Sequence, residues 1–252
     1  MSMNASIEQL SRRLSQRGFD IVSVFAASAY NKEIAIPLKL DRINENHSHG
    51  NGETICVLVG NTKAIWDPFL RYLKQHPEHI ETDSPLDSYI EKSIKSSLPP
   101  LFSSSIIYSW SRSPNFISLQ HCASLSRLVF YENKYSFLCI HPQYGPWFAL
   151  RSVIILDQTY NVASPQSNTD VTKGTDPSEP AKPMECPIPQ EELAKITVPA
   201  DGSGWKGLLA MRDSLSHLCG SDQYRYSEDQ ILYHYTRDRN ILRSSVNLLG
   251  EI

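Results

Sequence analysis

The stretch Phe137-Leu-Cys-Ile-His-Pro-Gln-Tyr-Gly-Pro-Trp-Phe-Ala-Leu-Arg-Ser-Val-Ile-Ile-Leu156 decides how the rest of the sequence is interpreted. Apolar, β-branched and aromatic segments lie on both sides of a His-Pro-Gln-Tyr-Gly-Pro break, a pattern that predicts two strands joined by a tight connection. Three of its side chains are ones that an ordinary core does not need: Cys139, His141 and Arg151. Because arginine is rarely buried without a partner, Arg151 predicts either a buried carboxylate of the protein or a ligand that carries one.

The composition is that of an ordinary globular protein, with a formal net charge of −3 and 40% hydrophobic residues over 252 positions. This length predicts one large domain or one domain with appendages. There is no basic excess of the kind that binds nucleic acid, and the longest apolar run is far too short to span a bilayer. Residues 1–18 lack the apolar core of a secretory signal, and five scattered cysteines without a C-x-x-C pair favour a reducing compartment. We therefore expect a cytoplasmic protein.

Helices and strands are mixed along the chain in a way that is typical of an α+β protein. Residues 1–18 predict an amphipathic helix with Ile7, Leu10 and Leu14 on one face. Ser227-Glu-Asp-Gln230 is a capping-box signature that opens a last helix running through Leu242. The other predictions are strands over Phe19–Phe25, Thr54–Val59 and Ser104–Trp110, helices from Thr62 through Leu73, over Asp83–Leu98 and over Trp205–Leu218, a segment leaning to helix over Pro114–Tyr131, and loops over Asp41–Gly52 and Ser164–Pro189.

Motifs for phosphate, dinucleotide and metal binding are absent from the sequence. Gly50-Asn-Gly52 lacks the third glycine and the strand–helix context of a dinucleotide site, and His76-Pro-Glu-His79 lacks the spacing of a zinc-binding helix. Cys139 and His141 alternate onto one strand face without two further ligands nearby, so a structural role is the simpler interpretation. We expect no metal site.

Arginines recur in the predicted C-terminal helices. Arg212 follows Met211 on a leucine-rich helix, so it is a candidate to point inward beside Arg151. Several inward arginines would grip a ligand with more than one carboxylate bidentately. A solvated helix face is the alternative for Arg237, Arg239 and Arg243. The residues alone leave both interpretations of Arg151 open.

The segment from Cys139 to Arg151 resembles a known family motif. It is similar to the C-I-H-P-x-[FY]-G-x-W-F-A-[IL]-R segment of the cobalamin-processing proteins of the methylmalonic aciduria and homocystinuria type C group (CblC). Further stretches resemble the same family in the same order along the chain. They are Gly18-Phe-Asp-Ile21 with Ala29-Tyr-Asn31, Thr82-Asp83 through Ser97-Leu98-Pro99, and Arg225-Tyr-Ser-Glu-Asp-Gln230.

The resemblance implies a flavin-reductase or nitroreductase-like α+β core, in which helices flank an antiparallel sheet, with a C-terminal helical cap. On this view, residues 1–163 form the core and its cobalamin cavity. Residues 164–189 form a loop rich in proline and serine, and residues 190–252 form the cap.

The resemblance also implies chemistry on cobalamin. Family members bind cobalamin with its benzimidazole tail off the cobalt and remove the upper axial ligand. Alkyl groups leave by transfer to glutathione, which gives cob(I)alamin and a thioether, and cyanide leaves by reduction with electrons from FMN or FAD with NADPH. The implied enzyme is an alkylcobalamin dealkylase and a cyanide-eliminating cyanocobalamin reductase. A non-catalytic cobalamin trafficking chaperone and a flavin-dependent reductase are the alternatives.

The family's cobalamin contacts carry over to nine positions by resemblance. Two departures accompany them, because Ser109 and Ser124 stand where the family has an aspartate and a histidine. Cys139 is expected to be a small wall residue against the corrin rather than a nucleophile, since glutathione supplies the thiol. The implied contacts are Ile117, Ser118, Leu119, Gln120, Tyr131, Glu132, Asn133, Cys139 and Leu150.

Three arginines carry over as the glutathione site. A thiolate needs positive surroundings, and the two carboxylates of glutathione need bidentate partners. Arg151 matches the family's arginine in the predicted hairpin, and Arg212 matches a second one. The third falls near Arg239, with a register that is unsettled because this chain has Arg237-Asp238 where the family has two prolines. By resemblance, therefore, Arg151 holds a ligand.

The implied partners are cobalamin, glutathione, a downstream cobalamin-trafficking adaptor protein and the methionine synthase system, with neither nucleic acid nor membrane. A monomer and a ligand-induced homodimer are both compatible with the family.

Overall fold

A computed structural model describes residues 3–34, 40, 53–99, 104–112, 116–160, 184–196 and 204–250. Within these ranges no helix is long and apolar enough to cross a membrane. The helices are α1 (Met3–Ser15), α2 (Ala27–Glu33), α3 (Trp66–Gln75), α4 (Pro85–Ser97), α5 (Leu119–Leu125), α6 (Gln190–Leu193), α7 (Gly204–Leu218), α8 (Glu228–Thr236) and α9 (Arg239–Leu248), with 3₁₀ turns at Lys63–Ile65, Pro77–Glu81 and Asp222–Tyr224. The strands are β1 (Ile21–Ala26), β2 (Glu53–Asn61), β3 (Ser104–Tyr108), β4 (Phe130–Tyr131), β5 (Cys139–Ile140) and β6 (Ala149–Tyr160).

The central element is a four-stranded antiparallel sheet in the order β1-β2-β6-β3. Its inner strands are apolar on both sides because helices cover both faces. On β6, Ile154 and Leu156 face the core cluster that contains residues of α1, α3 and α4, whereas Val153 and Ile155 face the cluster that contains residues of α2 and α5. The α+β class with helices flanking an antiparallel sheet is confirmed, and the predicted amphipathic face of α1 is buried against this sheet.

Local sequence signals place most helix ends correctly. The Thr62 hydroxyl accepts a hydrogen bond from the backbone N–H of Ala64, so this residue caps the turn that leads into α3, as predicted. The Ser227 hydroxyl accepts one from Gln230 at the start of α8. Gly220, with φ +63°, follows the end of α7.

The predicted hairpin within residues 137–156 is wrong. β5 pairs with β4 in a separate two-stranded sheet, and β6 pairs with β2 and β3. The backbones of His141 and Gly145 form an isolated antiparallel bridge, so residues 141–145 make a tight turn of their own. This turn leads the chain from the two-stranded sheet to the central sheet.

Two helix predictions also need correction. The segment predicted to lean to helix over Pro114–Tyr131 is helical only in α5, and residues 113–115 lie outside the described ranges. The single last helix is in fact α8 and α9, because Arg237 has a left-handed backbone with φ +58° and Asp238 caps a new helix. The predicted loop over Asp41–Gly52 and most of that over Ser164–Pro189 also fall outside the described residues.

The C-terminal helices pack on one side of the central sheet. Leu242 of α9 joins the core cluster of α1, α3 and α4, and a separate cluster joins Trp147 to Tyr226 and Ile231. A third cluster forms between the 184–196 segment, Ile140 and α7. The division into a core and a cap remains a prediction.

Candidate functional site

A β-bulge at Arg151 sets the direction of the side chains at the candidate site. Val59 pairs with Ser152, but the next residue of β2, Gly60, pairs with Leu150, so Arg151 is the extra residue on β6. The bulge lets Leu150 pack with Val153 and Ile155, while Arg151 lies among residues of the opposite core cluster, such as Ile65. In a regular strand Arg151 would share the face of Val153 and Ile155, and Leu150 would share that of Ile154, so the bulge exchanges the two faces.

The first consequence is a cavity of about 340 Å³ on the Leu150 side. This volume lies within the usual range of small-molecule pockets. Five of the implied cobalamin contacts line it, together with Ser109, the departure noted above. The lining residues are Ser109, Phe116, Ile117, Leu119, Gln120, Phe137, Leu138, Cys139, Pro146, Phe148, Leu150 and Arg212.

Two other implied contacts support this cavity rather than line it. The Ser118 hydroxyl caps α5, and its backbone N–H donates to the Tyr30 hydroxyl at 2.9 Å. Tyr131 pairs with Cys139 across the small sheet and packs edge-on against His121, with ring centroids 5.3 Å apart. Both residues therefore position the wall of the cavity.

Glu132 and Asn133 are placed differently from the implied contacts. Glu132 is buried, and its carboxylate accepts hydrogen bonds from the backbone N–H groups of Lys134, Tyr135 and Ser136. Asn133 is exposed in the same turn. Neither residue lines the cavity, and Glu132 organises a loop beside it, so their assignment as cobalamin contacts remains a prediction.

The second consequence of the bulge is a small enclosed chamber on the Arg151 side. Its volume is about 10 Å³, roughly the space of one water molecule. Among the described residues, no acidic side chain lines it. The lining residues are Ile65, Trp66, Leu86, Arg151, Tyr226, Gln230, Tyr233 and His234.

Arg151 is buried without a carboxylate partner. Its side chain is 7% exposed, and Nε donates to Asn61 Oδ1 at 2.6 Å. None of the described residues forms an ion pair with it, although the charge of Asp87 acts on the guanidinium and by itself would raise its pKa. A direct buried ion pair, the first of the two interpretations of Arg151, is therefore not seen among the described residues. Burial lowers the pKa of this guanidinium, as expected of a charge taken out of water.

Arg212 links the chamber region to the cavity. Its Nε and one Nη donate to the carbonyl oxygens of Pro146 and Phe148, both at 2.8 Å, and it also lines the cavity. The guanidinium lies 4.6 Å from the Trp147 ring centroid and 5.1 Å from that of Tyr226. Arg212 therefore fixes the connection before β6, as well as bringing positive charge to the site.

The implied third arginine, Arg239, lies at the surface. Arg239 is 38% exposed, faces Glu81 at 3.8 Å on the surface and lines neither cavity. Arg237, two residues earlier, is also exposed and lines neither cavity, but it lies over the Tyr233 ring at 5.8 Å, and its charge contributes to lowering the pKa of Arg151. The assignment of Arg239 as the third glutathione arginine therefore remains a prediction.

His234 belongs to the chamber and was missed by the sequence analysis. Burial, together with the charges of Arg212, Arg151 and Arg237, lowers its pKa to about 3, so the imidazole is neutral at neutral pH. The only sequence signal was its position four residues after Gln230, which puts both on one face of α8.

Buried donors without acceptors surround these arginines. The Tyr226 hydroxyl and the Trp147 indole N–H are both buried and find no hydrogen-bond acceptor within the described structure. Because guanidinium groups only donate, they cannot satisfy such donors. The region therefore matches a ligand that is rich in acceptors and negatively charged.

Cys139 and His141 have structural surroundings. Burial raises the pKa of the Cys139 thiol to about 12, which disfavours the thiolate that a nucleophile needs. His141 Nδ1 accepts from the backbone N–H groups of Gln143 and Tyr144, and burial lowers its pKa to about 4. No group of three potential metal ligands occurs among the described residues.

The fold and site define a class of α+β proteins in which an apolar ligand cavity adjoins a cationic, acceptor-poor chamber. The family model for the methylmalonic aciduria and homocystinuria type C family matches residues 18–176, so this chain belongs to that family. A cyanocobalamin reductase / alkylcobalamin dealkylase of Bos taurus is 27% identical over 204 residues, covering 73% of this chain and 65% of the bovine protein. A Danio rerio protein of the same name is 24% identical over 208 residues, covering 72% of this chain and 77% of the fish protein.

A solved structure supports the fold. A B12-trafficking protein CblC from C. elegans superposes with a TM-score of 0.69 at 20% identity, covering 99% of this chain and 98% of the nematode chain. This likeness confirms the architecture. The finer description of the core as flavin-reductase or nitroreductase-like remains a prediction.

Proposed function

We propose that this protein processes cobalamin: it binds base-off cobalamin and removes its upper axial ligand. Alkyl groups leave by glutathione-dependent dealkylation, and cyanide leaves by reductive decyanation. The names of the bovine and fish relatives support both activities. The observation that carries the proposal is Arg151, a buried guanidinium that forms no ion pair with a described residue and that a bulge aims into a small chamber.

The cavity supports the cobalamin half of the proposal. Its walls present mainly apolar groups, including Ile117, Leu119, Cys139 and Leu150, which suit the face and edge of a corrin ring. Gln120 is exposed at the border of the cavity, where an amide side chain of the corrin would meet a polar partner. A cobalt-bound ligand would then project toward Arg212.

The arginines support the glutathione half. Arg151, Arg212 and Arg237 supply positive charge within reach of one another, since each lowers the pKa of His234. Guanidinium groups hold carboxylates bidentately, and positive surroundings lower the pKa of a thiol. Glutathione has two carboxylates and one thiol, so it matches both properties. Its entry requires the small chamber to widen.

The proposed dealkylation balances without a nucleophile from the protein. The glutathione thiol releases its proton to solvent, and the thiolate sulfur attacks the cobalt-bound carbon. A carbon–sulfur bond forms while the cobalt–carbon bond breaks, and both electrons of the broken bond remain on cobalt as cob(I)alamin. Decyanation needs electrons from outside, for which FMN or FAD with NADPH is the proposed source. We also propose a cytoplasmic location, with transfer of the product through an adaptor protein toward methionine synthase.

The proposal is tested by incubating the protein with methylcobalamin and glutathione without oxygen. We expect loss of the alkylcobalamin absorption and release of S-methylglutathione, identified by mass spectrometry. Binding of base-off methylcobalamin without any thioether would favour the second candidate, a non-catalytic cobalamin carrier, which the name of the nematode trafficking protein supports. A protein that purifies with flavin and ignores cobalamin would instead contradict both candidates.

A further inference from the structure

Two exposed aromatic side chains lie at the cavity. Phe116 is 48% exposed and Phe137 is 55% exposed, and both belong to its lining. The described structure contains other exposed large apolar residues, but none of them lines this cavity. They are Trp110, Leu208, Leu218 and Leu248. An apolar ring in water at a ligand cavity is a surface that a ligand can cover.

Phe137 has a backbone conformation that is costly for its side chain. Its φ is +56°, in the left-handed region that glycine adopts freely and bulky residues adopt rarely. The strain gives no benefit to the protein core, because more than half of the side chain is in solvent. Such strain concentrates at functional sites, where the surrounding structure holds it.

The loop that presents Phe137 is held by Glu132. The Glu132 carboxylate accepts from the backbone N–H groups of Lys134, Tyr135 and Ser136 and from the Ser136 hydroxyl. Burial alone would raise the pKa of Glu132, but these hydrogen bonds outweigh it and lower the pKa. The Glu132 N–H closes the loop by donating to the carbonyl oxygen of Leu138 at 2.9 Å. The backbone that carries Phe137 is therefore preorganised before any ligand enters.

We infer that Phe137 and Phe116 form an aromatic clamp that holds the corrinoid ligand at the mouth of the cavity and sets its affinity. This inference rests on the proposed function, since it commits to cobalamin as the occupant. The clamp covers apolar edges of the corrin, while Cys139 and Leu150 contact it from inside. Its contribution to affinity comes from the apolar area of two rings that the ligand covers.

Phe137→Gly separates binding from stability. Glycine accepts φ +56° without strain, so the variant should unfold at the same temperature as the wild type or higher. Loss of the ring should weaken cyanocobalamin binding about tenfold, which corresponds to about 1.4 kcal/mol. Phe116→Ala should weaken binding in the same direction, and Phe137→Trp should retain affinity within about threefold, as measured by tryptophan-fluorescence or absorption titration.

Leu248→Ala is the matched control, because Leu248 is 80% exposed on α9 and lines neither cavity. It should leave cobalamin affinity unchanged. Wild-type affinity in Phe137→Gly, or a parallel loss of melting temperature and affinity, would overturn the clamp while the proposed function stands. Failure of the wild-type protein to bind cobalamin would overturn both.

Discussion

Arg151 shows how one residue connects the sequence to the site. A buried charge is tolerated when it has a partner, and the protein supplies Arg151 with the neutral amide of Asn61 rather than a carboxylate. Under the proposed function, an anionic ligand supplies the negatively charged partner of the Arg151 guanidinium. Mutation of Arg151 can therefore have two outcomes: loss of a ligand contact, or loss of a structural ion pair.

Arg151→Gln should therefore impair glutathione use and spare the fold. We expect kcat/KM for glutathione to fall about 100-fold, because a charged hydrogen-bonding contact is worth roughly 1.5–3 kcal/mol. Cobalamin binding should persist. A structural ion pair would instead cost about 3–5 kcal/mol of folding stability on removal, measured by urea denaturation. Arg243→Gln, which removes a surface arginine paired with Glu81, is the matched control and should change neither quantity.

The sequence singled out Arg151 and Arg212 because arginine is unusual in apolar segments, and both are buried. It left the register of the third arginine near Arg239 open, with Arg237 two residues before it. A helical period extended through both residues, whereas the chain adopts a left-handed conformation at Arg237 and restarts as α9. This break depends on packing against α3, which a local pattern does not contain.

At the scale of elements, the bulge between β2 and β6 matters most. A period of two along residues 149–156 would put Leu150 and Ile154 on one face, but they belong to opposite core clusters. The predicted hairpin failed for a related reason. Apolar strands that flank a turn carry no information about distant partners, and β6 takes β2 and β3, which come much earlier in the chain.

Gly60→Ala tests the bulge. An added Cβ would lie 2.7 Å from the carbonyl oxygen of Ala149 and 3.3 Å from Cγ2 of Ile21, so the strands must separate. We expect a loss of about 1–3 kcal/mol in the free energy of unfolding, as for other overpacked cores. Because the bulge aims Arg151, glutathione use should fall as well. Gly250→Ala, where nothing lies within 4 Å of the new Cβ, should be neutral in both assays.

At the scale of the whole molecule, two buried imidazoles connect the fold to pH. Burial lowers the pKa of His141 to about 4, and burial with three arginines lowers that of His234 to about 3. In the unfolded chain, each returns to about 6.5. The unfolded state therefore binds more protons below pH 6.5, so the stability is fully present above this pH and is lost as the pH falls toward the folded-state values. Glu132, whose pKa is also lowered, adds to this loss only in more acidic solution.

His234→Phe should flatten this dependence. Each histidine should cost about 1–2 kcal/mol of unfolding free energy between pH 7.5 and pH 5, since one unit of pKa difference is worth about 1.4 kcal/mol and partial exposure reduces the effect. Urea denaturation at both pH values gives the change in the free energy of unfolding between them. This change should be roughly half as large in the variant as in the wild type, because His141 still titrates. Because only the change in unfolding free energy with pH is compared, a change in the stability of the variant at a single pH does not affect the result. An unchanged dependence would mean that His234 binds protons equally in the folded and unfolded chain, and that the surrounding arginines and burial do not lower its pKa.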